Sequence, residues 1–327
     1  MLVNSEADGV IALEIGGTKL QVALSTLQGE LVLSSKGSAP VSGGAPAILD
    51  WFGKEVPVVL QKARERNFRV RALGVGFGGP VESATGRALV SHQVSGWENI
   101  PLKDWFEQRF DLPTVVANDS NAAGWAEYRC GAGRGTKNFF YTNIGSGIGG
   151  ALIIQGQLYD GQGFGAAEMG HTYIPDWTAA TPGVAEKVEN LCSGWAIERR
   201  LRQMTISAES HLGKLSGGDP AKLTCAVLGE AARLGDPVAL HELEQVAKGV
   251  GTAISNVITL FHPECVAIGG GVALLGDILL DPIRNHIEQL VFKPYCGRYK
   301  IVPCVLGESV VLVGAALMAA DLYGGKP

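Results

Sequence analysis

No C-x-x-C pair occurs among the six cysteines of this 327-residue sequence, which stand at 130, 192, 225, 265, 296 and 304. The commonest thiol spacings for metals and redox centres are therefore missing, and scattered single cysteines read as reduced, mostly buried thiols of a cytosolic protein. Charged residues are scarce, at 18%, and sum to a net charge of −5 with no basic stripe. Nucleic acid is not an expected partner, and an anionic ligand would have to meet backbone N–H groups. The first eight residues carry Glu6 and Asp8 where a signal peptide needs an apolar run. Residues 310–320, the longest apolar stretch near the end, read as too short for a bilayer, so a soluble cytoplasmic protein without membrane contact is expected. No Pro/Ser linker divides the chain, no Gly-X-Y period accompanies its 45 glycines, and no G-x-x-x-x-G-K-[ST] loop is present.

What is present is apolar sequence, 46% of the chain, in a length that suits two ordinary domains. Residues 10–15 and 20–24 read as strands around Gly16-Gly17-Thr18, and Gln28-Gly29-Glu30 turns the chain into a third strand at 31–33. Residues 45–66 make an amphipathic helix with Ile48, Trp51, Phe52 and Val59 on one side. Strands at 71–77 and 114–117 follow, with helices at 101–109 and 120–128. The pattern then repeats. A strand at 139–144 meets a glycine turn, 151–154 resume it, and Gln155-Gly156-Gln157 turns into Leu158-Tyr159. Residues 184–212 and 220–262 read as mainly helical. A strand at 265–268, a helix at 275–290, a strand at 301–306 and a helix at 310–322 complete the chain.

Glu14-Ile15-Gly16-Gly17 parallels Asn143-Ile144-Gly145-Ser146, and Gln28-Gly29-Glu30-Leu31 parallels Gln155-Gly156-Gln157-Leu158. The echo predicts two domains built from one strand–turn–strand unit, each presenting a glycine turn to a shared cleft. The boundary is expected near 118–122: an N-terminal domain at 1–120, joined by the C-terminal helix at about 308–327, and a C-terminal domain at 121–307.

Residues 74–79 and 145–150 both match G-x-G-x-x-G. A dinucleotide site needs those glycines to open a helix, and neither match does, which disfavours a hydride-transfer enzyme. A hairpin bend without side chains instead lets backbone N–H groups converge on phosphate oxygens. Two such hairpins, with a third turn at Gly269-Gly270-Gly271, point to the phosphates of a nucleotide.

At this point six motifs stand in order. Glu14-Ile15-Gly16-Gly17-Thr18-Lys19 resembles the first phosphate motif of the ROK family of sugar kinases and related repressors. Residues 74–81 resemble its sugar loop, Asn118-Asp119-Ser120-Asn121-Ala122-Ala123 its catalytic motif and residues 144–150 its second phosphate motif. Glu168-Met169-Gly170-His171 resembles its E-x-G-H sugar motif and residues 268–272 its adenosine turn. The resemblance implies an α/β fold of the actin-like ATPase (ribonuclease H-like) type, duplicated into two domains with an interdomain cleft. It implies phosphoryl transfer from ATP to a hydroxyl of a hexose or N-acyl-hexosamine. No helix-turn-helix precedes residue 9, which disfavours the repressor branch.

Carried onto this chain, the resemblance makes Asp119 the general base, although without it Asp119 reads as a helix cap. Gly79, Asn118, Asp119, Glu168, His171 and Glu189 would contact the sugar. Gly16, Gly17, Thr18, Lys19, Gly145, Ser146, Gly147, Gly269, Gly270 and Gly271 would contact ATP. Glu14, where the family usually has aspartate, would lie near Mg²⁺ through water, and Gly78 replaces a usual proline. These departures keep open a catalytically weak sugar-binding sensor of the same fold. A homodimer is possible. The family commonly adds C-x-C-G-x-x-G-C-x-E, whose thiolates join the histidine on a structural zinc. Aligned on Glu189, those cysteines fall on Ala180, Pro182 and Lys187. No structural zinc is therefore expected, and packing around Trp177, with Pro175 and Pro182, would hold residues 172–191.

Overall fold

A computed structural model describes residues 6–39, 42–91 and 94–324. Residues 1–5, the start of the stretch read as lacking a signal peptide, lie outside these. The chain divides into two compact units: Met1–Arg134 with Ala151–Ala166 and Leu306–Pro327, and Gly135–Gly150 with Ala167–Val305.

In the first unit, apolar runs broken by glycine give β1 (Ala7–Ile15), β2 (Lys19–Thr26) and β3 (Leu31–Ser38), an antiparallel meander. Gly29 sits at φ 87°, the left-handed conformation that the β2–β3 turn requires. Helix α1 (Gly44–Glu65) leads to β4 (Phe68–Phe77), parallel to β1. The short pair β5 (Val81–Glu82) and β6 (Arg87–Ala88) and helix α2 (Leu102–Phe110) lead to β7 (Thr114–Asn118), parallel to β4. Helix α3 (Asp119–Cys130) follows directly. The sheet order is β3-β2-β1-β4-β7. Ile48, Phe52, Val56 and Val59 of α1 are fully buried in one core cluster with Leu13, Leu24 and Leu73 of the sheet. Each such side chain contributes roughly 1.5–3 kcal/mol by leaving water. Trp51 packs edge-on against Phe52 with its ring partly exposed.

The second unit holds β8 (Phe139–Ile144), β13 (Cys265–Gly269) and β14 (Lys300–Pro303), and the division passes through β9 (Ile148–Ile154), which runs on to β10 (Gln157–Leu158). This sheet has the order β10-β9-β8-β13-β14, the first sheet's order repeated place for place. Between β10 and β13 come a two-stranded ladder, β11 (Tyr173–Pro175) with β12 (Ala185–Lys187), and helices α4 (Val188–Cys192), α5 (Gly194–Gln203), α6 (His211–Ser216), α7 (Cys225–Arg233) and α8 (Pro237–Phe261). Helix α9 (Asp277–Leu290) joins β13 to β14. Residues 184–212 are thus less helical than expected. Ala185-Glu186-Lys187 has no local β preference, and pairing with β11 overrides its propensity.

The last helix, α10 (Val310–Gly324), packs on the first sheet, where Leu312, Ala315, Ala316 and Ala319 meet Val10, Ala12, Ala23 and Ala72. Its approach is close. A methyl on Gly74 would lie 2.0 Å from the Ala315 carbonyl oxygen, and one on Gly314 would lie 1.8 Å from that of Ala122 in α3. The first pair of glycines in the 74–79 match therefore serves helix packing on a strand. The contact also ties α3 to this sheet, and the first segment of the unit runs to Arg134. With its lead-in turn, the helix makes an 18-residue stretch, Gly307–Gly324, long and apolar enough to cross a membrane by length and composition. Residues 310–320 alone understate it. Its apolar face is nonetheless part of a protein core.

Candidate functional site

The first hairpin turns at Gly16, whose N–H donates to the Lys19 carbonyl at 3.0 Å. Glu14 and Gln21 face each other across the β1–β2 ladder. Gln21 Nε2 donates to Glu14 Oε2 at 2.5 Å, and Lys19 Nζ lies 3.3 Å from Oε1. Glu14 is only 9% exposed, so an ionised carboxylate there depends on these partners. Lys19 Nζ also donates to the Glu308 carbonyl at 3.4 Å.

The end of β1 is tied to the Gly78-Gly79 loop. Gly78 N–H donates to the Ile15 carbonyl at 2.8 Å, a bond that proline could not make. A methyl on Gly79 would fall 2.4 Å from the Val90 carbonyl oxygen, so only glycine fits. Asn118 Nδ2 donates to the Gly79 carbonyl at 3.1 Å, and its Oδ1 accepts from Ser120 N at 2.9 Å and Asn121 N at 3.1 Å. Asn118 is therefore the N-cap of α3, a role worth about 1 kcal/mol. Asp119 is the first helical residue. Its Oδ1 accepts from Ser120 N at 2.7 Å, and its Oδ2 would lie 3.6 Å from a methyl on Gly78, beside the loop backbone. The carboxylate also stands at the positive end of α3.

The second hairpin closes through Gly145 N–H donating to the Gly147 carbonyl at 2.9 Å. Gly194 N–H, at the start of α5, donates to the Gly145 carbonyl at 2.7 Å. Ile148 N–H donates to Glu189 Oε2 at 2.8 Å, and a methyl on Gly147 would lie 2.6 Å from that same oxygen. Asn143 Oδ1 accepts from Gly149 N at 3.2 Å. The triple-glycine turn abuts the hairpin. Gly270, at φ 88°, would place a methyl 2.5 Å from the Ile144 carbonyl oxygen, which also accepts from Val272 N at 2.9 Å. Glu168 precedes a short 3₁₀ turn, Met169–His171, and its carbonyl accepts from His171 N at 3.0 Å. A methyl on Gly170 would lie 2.2 Å from the Ile148 carbonyl oxygen, so glycine lets this turn touch the hairpin. His171 Nδ1 lies 3.3 Å from Lys187 Nζ. Cys192 and Cys225, nearby in the sequence, are held as thiols, because burial pushes both up to about 12.

Three glycine turns, one carboxylate at a helix start and a second hairpin braced by a glutamate match the motif order of a single family, whose model covers residues 10–322. The chain belongs to the ROK family. It is 31% identical over 316 residues to a glucokinase of Streptomyces coelicolor, covering 95% of this chain and 97% of that one. Among solved structures it is similar to a ROK family glucokinase from Streptomyces griseus in complex with glucose and AMPPNP. That match has 32% identity and a TM-score of 0.79 over 96% of this chain and 99% of the other. It is also similar to a ROK family transcriptional regulator, a homologue of the E. coli MLC protein, with 26% identity and a TM-score of 0.86 over 98% of this chain and 80% of that one. The two repeated sheets are thus the halves of the actin-like ATPase type of fold, and the glucokinase relatives support a sugar kinase.

Within the first unit of this ROK protein, Glu14, Gly16, Lys19, Gly79, Asn118 and Asp119 are linked through the Ile15–Gly78 and Asn118–Gly79 bonds. Gly17 and Thr18 complete that turn, with the Thr18 carbonyl accepting from Ala39 N at 3.0 Å. Within the second unit, Gly145, Ser146, Gly147, Glu168, His171, Glu189 and Gly269 to Gly271 gather around the end of β8 and the start of β9. Gln21, Gly194 and Lys187 were not singled out as site residues. Gln21 had a signal, since it and Glu14 are symmetric about the Gly17-Thr18 turn. Lys187 had one too, standing at a cysteine position of the zinc motif.

Proposed function

We propose that this chain is an ATP-dependent kinase that transfers the γ-phosphoryl group to a hydroxyl of a hexose or N-acyl-hexosamine, with Asp119 as general base. The observation that carries the reading is the separation of tasks at the start of α3. Asn118 supplies the cap to Ser120 N and Asn121 N, while Asp119 Oδ2 stands beside the Gly78 backbone of the loop that Asn118 also holds. In the proposed step the sugar hydroxyl oxygen forms a bond to the γ-phosphorus, the bond to the β–γ bridging oxygen breaks to leave ADP, and the hydroxyl proton passes to Asp119. Positioning and charge neutralisation supply most of the acceleration in such transfers.

Asn118 has its oxygen committed to the cap, so it would offer a sugar its remaining N–H. Glu168, His171 and the free face of Glu189 supply acceptors and donors suited to a polyol. The two hairpins and the triple-glycine turn offer N–H groups to the nucleotide phosphates. Both Glu14 oxygens already have direct partners, which suits contact with Mg²⁺ through water, and the ion would supply neutralisation of phosphate charge. We place the protein in the cytoplasm, acting on sugar and ATP without nucleic acid or membrane, and a homodimer is compatible with this.

One observation favours a second reading, a sugar sensor with weak catalysis: Lys19 is engaged with Glu14. An ATP-consumption assay across hexoses and N-acyl-hexosamines separates the two. The kinase reading expects sugar-dependent ADP release with at least one of them. Sugar binding by calorimetry without any ADP release would favour the sensor.

A further inference from the structure

The residues around His171 do not fit a zinc ion. Residues 172–191 contain no cysteine, and the group facing His171 Nδ1 is the Lys187 ammonium, at 3.3 Å. An ammonium and a metal cannot share one ring nitrogen, and a closed zinc site needs four Cys or His ligands. We propose that Lys187 is a positioning residue that takes over the metal's orienting task. Its ammonium donates to His171 Nδ1 and thereby fixes the proton of the neutral ring on Nε2, which becomes the donor offered to a sugar oxygen. The inference rests on His171 serving the sugar, as read above.

Lysine ammonium has three donors and no acceptor capacity, so Nδ1 must be the acceptor in this contact. In a neutral imidazole the other nitrogen then carries the hydrogen. A metal bound to one ring nitrogen fixes the tautomer in the same way. The ring also needs a rigid frame, and the fold supplies one without thiolates. His171 stands just before β11, and Lys187 ends β12, opposite Tyr173 in the ladder. Val188 N–H donates to the Thr172 carbonyl at 2.9 Å, which locks the two chain segments side by side. The ladder is seated on α8 at Gly249, where a methyl would lie 2.7 Å from Cys192 Sγ, 3.0 Å from Ile174 Cδ1 and 3.1 Å from the Trp177 ring. Trp177 is covered in turn by the Arg200 guanidinium, 5.5 Å from the ring centroid, and Arg200 is held by buried Glu242 with Nε at 3.0 Å. Packing and a cation–π contact thus set the ladder, and the ladder delivers Lys187 to His171.

The test is imidazole ¹⁵N NMR of the labelled protein, together with steady-state kinetics, on the wild type, Lys187→Met and Lys187→Arg. The wild type should show an unprotonated Nδ1 and a protonated Nε2. Lys187→Met, which keeps the apolar stem, should populate both tautomers. It should raise the sugar KM by about 3- to 10-fold, the cost of one hydrogen bond, while kcat and the ATP KM stay within about twofold. Lys187→Arg restores a donor and should restore the wild-type ¹⁵N pattern. Unchanged His171 signals in Lys187→Met would overturn the proposal, and so would one tightly held zinc per chain that disappears in His171→Ala. If no sugar in the panel is phosphorylated, the kinase reading fails, yet the ¹⁵N signals still decide whether Lys187 sets the ring.

Discussion

The two glycine hairpins have the same neighbours in their sheets and differ in charge. Glu14 in β1 and Asn143 in β8 hold corresponding places before the glycines. Glu14 is a nearly buried acid that recruits Gln21 and Lys19, so the first hairpin carries an anion and a cation side by side. Asn143 is neutral and uses its oxygen to accept from its own hairpin's Gly149 N–H. The second hairpin then takes its bracing from outside, from Glu189 on α4 and Gly194 on α5. A duplicated backbone has therefore been specialised through side chains. One copy carries a charged Glu14–Lys19 pair with Gln21, and the other is neutral at its own turn and braced by Glu189.

The sharpest break of this comparison is Asp119→Asn, because β14, the counterpart of β7, is followed by Cys304 and not by a carboxylate. Turnover should fall by about 10²–10⁴-fold, the usual weight of a general base. The fold should survive, since Asn118 and not Asp119 caps α3. Steady-state kcat alongside a thermal melt checks both halves. A variant that turns over at near wild-type rate would remove Asp119 from the chemistry.

The next largest effect should come from the other hairpin. A methyl at residue 147 would meet Glu189 Oε2 at 2.6 Å and loosen the brace on Ile148 N–H. Gly147→Ala should raise the ATP KM by about tenfold, equivalent to ~1.4 kcal/mol of lost binding. Ser146→Ala, at an exposed position, should leave it nearly unchanged. Equal effects from both substitutions would mean that hairpin shape is not what the nucleotide reads.

How far these contrasts were legible depends on the range of the interaction. Strands β1, β2, β4, β8 and β13 announce themselves by apolar runs that stop at glycines, and the sheet order repeats because the strand–turn–strand unit does. The motifs that carry the family resemblance were legible for the same reason, being short and local. Gln21 pairs with Glu14 only through hairpin register, and Lys187 meets His171 only because a three-residue ladder forms. That ladder has no local signal, since its existence depends on Ile174 and Trp177 packing at Gly249, seventy-odd residues further along. The packing of α3 is equally non-local: it is held by Gly314 of α10, far downstream. Asn118 as the cap was one residue from the reading that assigned it to Asp119.

The mildest change should be Glu14→Asp, which tests whether the charge of the first hairpin or its exact reach matters. Aspartate is one methylene shorter, so its carboxylate withdraws from Lys19 and Gln21. Lys19 can follow, because its side chain is 35% exposed on a flexible stem, whereas the side chain of Glu14 is 12% exposed. The charge pair therefore persists, and on the proposed reading the nucleotide phosphates would still hold most of the magnesium. kcat/KM should stay within about threefold of wild type in either direction, a change of ~0.7 kcal/mol. Glu14→Gln is the sharper control, since it leaves the Lys19 ammonium without its carboxylate and should lower activity further at limiting magnesium. Titrating Mg²⁺ against activity for the three proteins measures this. A tenfold loss in Glu14→Asp that excess magnesium restores would show direct coordination by the longer acid, and full activity in excess chelator would remove the metal from the reaction altogether.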